Sequence, residues 1–147
     1  MTSLNAAVAL AREDNGLAVV STLRADLTIQ ASLVNAGALA HPATGAQMLG
    51  YVTYGKVKLA NLRARPQTAV TFRRGWQWAT VEGRAELAGP DDPQPWLDSE
   101  DMLAQLLRDI FTAAGGTHDD WAAYDVTMRE QRRTAVLVTP TRIYSNG

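Results

Sequence analysis

Two lysines stand where a strand candidate hands over to a helix candidate, in the segment Tyr51-Val52-Thr53-Tyr54-Gly55-Lys56-Val57-Lys58. They are the only lysines of the chain, whose other strong bases are all arginine. A helix N-terminus presents unpaired backbone N–H groups and the positive end of its dipole, so it already favours an anion. Ammonium groups at i and i+2 do not share a helix face. At a strand-to-helix junction, however, both can converge on one phosphate. The surroundings add weight: from Leu27 to Val81 there is no Asp or Glu, while Arg63, Arg65, Arg73 and Arg74 add positive charge. The competing reading of Lys56 and Lys58 is two ordinary solvated lysines, but lysines kept for solubility alone more often have carboxylates nearby.

Other residue types with chemical potential point less far. His41 precedes Pro42 in a loop, and His118 lies in an acidic helix cap. Surface placement is the simpler reading of both. Tyr51 and Tyr54 are proton-donor candidates whose alternative is core or cross-strand packing. Trp121 shares a helical stripe with Tyr124 and Met128 and reads as core or interface, and Trp96 as a plug before a helix start. Trp78 differs, because it falls on the polar side of its strand, opposite Ala79 and Val81. Something beyond the monomer core, a subunit partner or a ring-shaped ligand, is expected to cover it. The chain has no cysteine, which removes disulfides, thiolate catalysis and Cys-ligated zinc. Two isolated histidines give no metal-ligand spacing, so no metal is expected. No acidic pair converges in the manner of a hydrolase, and no catalytic residue is named.

These residues need elements to position them. Ser3 to Asn15 reads as a helix stopped at Asn15-Gly16. Leu17–Leu23 and Thr28–Ala36 read as a strand pair, the second alternating Ile29, Ala31 and Leu33 with Gln30 and Ser32. Gly37 to Gln47 contains His41-Pro42 and Thr44-Gly45 and reads as having a loop near its middle, Met48–Tyr54 reads as a strand, and Val57–Arg65 as a short helix stopped by Pro66. Thr68–Phe72 and Gln77–Leu87 form a hairpin in which Gly83 marks a bulge or a close backbone approach. A helix capped by Asp98 runs to about Ala114, and Gly115-Gly116 ends it. Another follows from Thr117, with Arg132 and Arg133 in its last turn. Strand material interrupted by Pro140 closes the chain from Thr134 to Tyr144. Strands clustered in hairpins, with no G-x-G-x-x-G after a strand and no phosphate-binding G-x-x-x-x-G-K, exclude a dinucleotide fold. A mainly β protein with flanking helices is expected, built on a small antiparallel barrel that self-associates.

The run Lys56-Val57-Lys58-Leu59-Ala60-Asn61-Leu62-Arg63-Ala64-Arg65-Pro66 resembles the split-barrel flavin and deazaflavin oxidoreductases, relatives of pyridoxamine 5'-phosphate oxidase. Ser21-Thr22-Leu23-Arg24-Ala25-Asp26 is similar to that family's first hairpin, and Gly75-Trp76-Gln77-Trp78-Ala79-Thr80-Val81-Glu82-Gly83-Arg84-Ala85 to its fifth strand. Gly116 to Trp121, with Met128, Arg132-Arg133 and Val136-Leu137, resembles the mycobacterial deazaflavin-dependent branch. The resemblance implies a split antiparallel β-barrel over residues 1–147 as a single cofactor-binding domain, and a homodimer with cofactors in the grooves between subunits. It implies that Lys56 and Lys58 hold the cofactor's phosphate, that Asn61 shapes the groove, and that Gln30 and Ser32 line the ring system. Trp78 and Trp76 would flank the cofactor or the substrate mouth, from one subunit or the other. The basic C-terminal segment of the pyridoxamine phosphate oxidases is missing here, since only Arg142 precedes Tyr144-Ser145-Asn146-Gly147. Coenzyme F420 is therefore the expected cofactor, with FMN as the alternative. The expected activity is reduction of an activated double bond in a conjugated small molecule. A cofactor- or tetrapyrrole-binding role without turnover is the remaining reading.

Composition bounds the rest. With 46% hydrophobic and 20% charged residues over 147 positions, the chain can fill a core and still stay soluble. The net charge of −1 leaves no broad cationic footprint for duplex nucleic acid. No apolar run approaches the length that crosses hydrocarbon, and no secretory leader is read at the N-terminus. The expectation is a cytoplasmic protein without nucleic-acid or membrane partners.

Overall fold

The computed structural model describes residues 2–147. Strands β1 (Leu17–Leu23), β2 (Ile29–Ala40), β3 (Gln47–Thr53), β4 (Gln67–Arg74), β5 (Gln77–Ala88) and β6 (Thr134–Ser145) close a barrel in the order β1-β2-β3-β6-β5-β4. Every pairing is antiparallel. Helix α1 (Leu4–Ala9) and a 3₁₀ turn (Arg12–Asp14) precede the barrel, α2 (Lys56–Ala64) links β3 to β4, and α3 (Glu100–Ala113) and α4 (Trp121–Glu130) lie between β5 and β6. Alternate strand residues fill the interior, among them Val20, Val34, Tyr51, Phe72, Val81 and Val136. A second core joins Met48, Ala135 and Leu137 to Leu106, Leu107, Ile110 and Tyr124 of α3 and α4. The two-residue period of the strands thus supplies both layers.

The segment Gly37–Ala40 lies beyond the Ala36 end expected of the second strand, while the loop expected near the middle of Gly37–Gln47 falls at 41–46. It continues β2, with Gly37 opposite Gly50 and Ala40 opposite Gln47. Helix α3 packs on this extension, and a Cβ on Gly37 would lie 2.3 Å from the backbone of Ala113. A residue that reads as a turn former is there for close approach. Gly83 has the same role, as a Cβ would meet the Thr139 carbonyl oxygen at 2.3 Å. The β5–β6 register shifts between Glu82 and Gly83, opposite Pro140. That irregularity lets β6 run unbroken through a residue with no N–H to donate.

Capping differs by a residue or more from the sequence reading. Ser99, not Asp98, caps α3 by accepting from the Met102 amide, and Asp120, not Thr117, caps α4 through the Ala123 amide. The first helix is shorter than expected, though Asn15 does terminate this region in a left-handed conformation. His41 is not on the surface. It is buried, edge-on to Trp96 at 4.8 Å, with Nε2 2.7 Å from Glu86 Oε1. Its Nδ1 accepts from the Ala43 amide at 3.0 Å, so Nε2 carries the proton and donates to the carboxylate. His118 is exposed, as its sequence context suggests.

Candidate functional site

Helix α2 crosses the barrel end at which β3 finishes and β4 begins. Its inward face carries Lys58, Leu59, Asn61 and Leu62, all buried. Lys56 is exposed at the first helical position, after Gly55, which offers no side-chain cap. Lys58 is the unusual member. Only 6% of its side chain meets solvent, and its ammonium donates to Thr53 Oγ1 at 3.3 Å. Its Nζ lies 6.0 Å from the centre of the Tyr51 ring. The Tyr51 hydroxyl is itself buried without a hydrogen-bond partner among the described residues. Burial, and then the charge of Arg133, holds the Lys58 ammonium below the usual lysine range. Burial pushes the Tyr51 phenol up, so it stays protonated.

No carboxylate forms an ion pair with Lys56, Lys58 or Arg133 among the described residues, whereas Arg63 makes a two-pronged contact with Asp92 at 2.8 and 2.7 Å. The sequence-level shortage of carboxylates therefore survives folding at the lysines but not at Arg63. A buried ammonium with one weak acceptor, beside an unpaired phenol, is costly unless an anion completes it.

Sequence reasoning missed Arg133. It is not in the last helical turn: α4 ends with Gln131 as its C-cap, and Arg132 takes a left-handed conformation with φ 50. The Arg132 amide bonds Arg129 O and the Arg133 amide bonds Met128 O, the pairing of a Schellman motif. This turn delivers Arg133 across the face of Tyr54, with Cζ 3.9 Å from the ring centre. Nothing in the local sequence links these two residues, because the contact exists only once β6 pairs with β3.

Gln30 and Ser32 face the barrel interior, opposite Thr22 and Val20 of β1. Asn61 Nδ2 donates to Thr22 Oγ1 at 3.0 Å, and Thr22 donates to Gln30 Oε1 at 3.2 Å. This chain of bonds ties α2 to two strands. Ser32 Oγ is buried with no partner among the described residues. The apolar members of the alternation point outward instead. Ile29 is 63% exposed and Leu33 62%, and Val19 stands opposite Leu33 on the same outer face.

The two tryptophans are placed apart from the lysines. Trp76 is 94% exposed at the β4–β5 hairpin tip. Trp78 is half-buried, and part of its cover comes from within the chain, Tyr144 meeting it edge-on at 6.1 Å. The length of β4 separates this tip from α2, roughly 20 Å at the rise of a strand. One protomer therefore does not bring Trp76 and Trp78 to Lys56 and Lys58.

The family model of pyridoxamine 5'-phosphate oxidase matches residues 4–147, nearly the whole chain. The chain belongs to the pyridoxamine 5'-phosphate oxidase family. Solved structures of this split-barrel group share the fold at low identity. A conserved hypothetical protein of Mycobacterium tuberculosis is 17% identical with a TM-score of 0.66, over 99% of this chain and 84% of that one. An F420 reductase is 19% identical with a TM-score of 0.53, over 87% and 88%. A Clostridium acetobutylicum protein related to general stress protein 26, of the pyridoxinephosphate oxidase family, is 12% identical with a TM-score of 0.58, over 90% and 80%. The pyridoxamine 5'-phosphate oxidase family includes oxidoreductases and binds flavin or deazaflavin cofactors. The residues present fit such a group: the Lys58 ammonium has one hydroxyl acceptor and no carboxylate, and the Tyr51 hydroxyl has no partner among the described residues, so both keep donor capacity that a bound phosphate would take. No helix among the described residues is long and apolar enough to cross a membrane.

Proposed function

We propose that this protein is an oxidoreductase that binds coenzyme F420 and reduces an activated double bond of a conjugated small molecule. The observation that carries the reading is Lys58, a buried ammonium with one hydroxyl acceptor and no carboxylate partner among the described residues. Lys56 and Lys58 hold the cofactor's phosphate at the mouth of α2, where the free amides of the helix add to their charge. Asn61, Thr22 and Gln30 keep α2 in place through their chain of hydrogen bonds, and Asn61 thereby shapes the groove. When bound, the deazaflavin supplies a hydride to an electrophilic carbon. Tyr51 stays protonated and acts as a hydrogen-bond donor, so the balancing proton comes from solvent.

A homodimer completes the site. Leu17, Val19, Ile29 and Leu33 are exposed on the outer face of β1 and β2, an apolar surface suited to a second copy. Pairing through this face would let the partner's hairpin bring its own tryptophans toward the groove, since Trp76 and Trp78 cannot reach it within one protomer. FMN is the alternative cofactor, favoured by the family match over residues 4–147. Side-by-side fluorescence titration with F420 and FMN tests the choice. Tight F420 binding, weakened at least tenfold when Lys56 and Lys58 are both replaced by Ala, is expected. Tight FMN binding in its place selects the alternative, and unchanged affinity in the double variant removes the lysines from the site.

A further inference from the structure

The Schellman turn that places Arg133 also sets it at the edge of a cleft of about 480 Å³ between α3, α4 and the outer faces of β2 and β3. Val52, Ile110, Phe111, Tyr124 and Met128 supply its apolar and aromatic walls, and Asn35 adds a polar edge. Among the described residues, Arg133 is the only charged one that lines it. The guanidinium is held from two sides, by its stack on Tyr54 and by Nε donating to Gln131 Oε1 at 2.8 Å. Its two terminal nitrogens have no acceptor among the described residues. A planar fork, anchored behind and open in front at the rim of an aromatic cleft, matches a carboxylate attached to a flat ring.

We propose that this cleft binds a flat, conjugated carboxylic acid, its ring against Phe111, Tyr124 and Met128 and its carboxylate on Arg133. As the substrate of the reduction, this acid rests on the proposed function, whereas its binding does not. A single guanidinium fits a monoanion, and the phosphate of the cofactor has Lys56 and Lys58. The nearby ammonium of Lys58 lowers the local cost of bringing in a negative charge and so favours an acid over its neutral analogue.

Calorimetric titration of the full chain with 2-naphthoate, and with 2-naphthalenemethanol as the uncharged control, tests the site. Saturable binding of naphthoate is expected, at least tenfold tighter than the alcohol. Arg133→Gln should abolish that preference and Arg133→Lys should restore part of it, with thermal melts confirming that both variants fold. Lys56→Ala/Lys58→Ala should weaken naphthoate less than threefold, and inorganic phosphate should not displace it. Equal binding of acid and alcohol, unaltered naphthoate affinity in Arg133→Gln, or displacement by phosphate would each overturn the assignment. If the double lysine variant keeps full F420 and FMN affinity while Arg133→Gln loses naphthoate, the cofactor reading fails and the acid cleft stands.

Discussion

The Arg133 guanidinium lies 3.9 Å from the centre of the Tyr54 ring, joining the α4–β6 turn to the start of α2. Tyr54 is itself exposed, so the stack serves to aim Arg133 rather than to build the core. Tyr54→Leu is expected to leave the melting temperature nearly unchanged. It should weaken naphthoate binding two- to fivefold, the range of an exposed cation–π contact of about 0.5–1 kcal/mol. Calorimetry on both proteins checks this.

Lys58 trades stability for binding. Its charge is buried against one hydroxyl, and Thr53 Oγ1 would keep the Gly55 amide as a partner if the ammonium were removed. Lys58→Met should therefore stabilise the ligand-free protein by about 1 kcal/mol while weakening the cofactor at least tenfold. Thermal melts and fluorescence titration, run on the same preparation, separate the two effects.

The pH dependence follows from the lowered proton affinity of Lys58, caused first by burial and then by Arg133. The folded chain holds fewer protons than the unfolded one in the window just below the usual lysine value. The ligand-free protein should thus gain stability as pH rises through that window. Cofactor affinity should move the other way, falling as pH rises through the same window and the ammonium is lost. Lys58→Arg keeps its charge there and should flatten the affinity profile.

Gly37 permits the close docking of α3 on β2, because any side chain would collide with the backbone of Ala113. Gly37→Ala should cost about 1–3 kcal/mol, read by urea denaturation. It should also disturb naphthoate binding, since Ile110, Phe111 and Ala114 of this same helix region line the cleft.

The outer face of β1 and β2 offers a test of self-association. Leu33→Asp places a charge opposite Val19 on a surface already exposed in the protomer. The isolated fold should change by no more than about 0.5 kcal/mol. Analytical ultracentrifugation should show loss of the dimer, and cofactor affinity should fall with it if the partner's tryptophans complete the groove.

Much of this architecture is legible along the chain. The alternation Ala79, Val81, Ala85, Leu87 gives the inward face of β5, and Gly83 marks its irregularity opposite Pro140. The His41-Pro42 and Thr44-Gly45 turn signals place the β2–β3 loop, but the end of β2 is read at Ala36, four residues early, because β3 pairing and the contact with α3 carry the strand through Gly37–Ala40. His41 misleads for the same reason: the Glu86 that satisfies it comes from a distant strand. On β2 the period is right, but a period of two does not say which face is inside. The structure turns Gln30 and Ser32 inward and leaves Ile29 and Leu33 outside.

Residue type and order along the chain determine the strands, the short helix after β3 and a pair of lysines kept clear of carboxylates. Folding alone decides that one lysine is buried and the other exposed, and that Arg133 arrives beside them from the far end of the chain. Local backbone preference and side-chain period act over a few residues. Desolvation and charge proximity depend on neighbours that only closure of the barrel brings together.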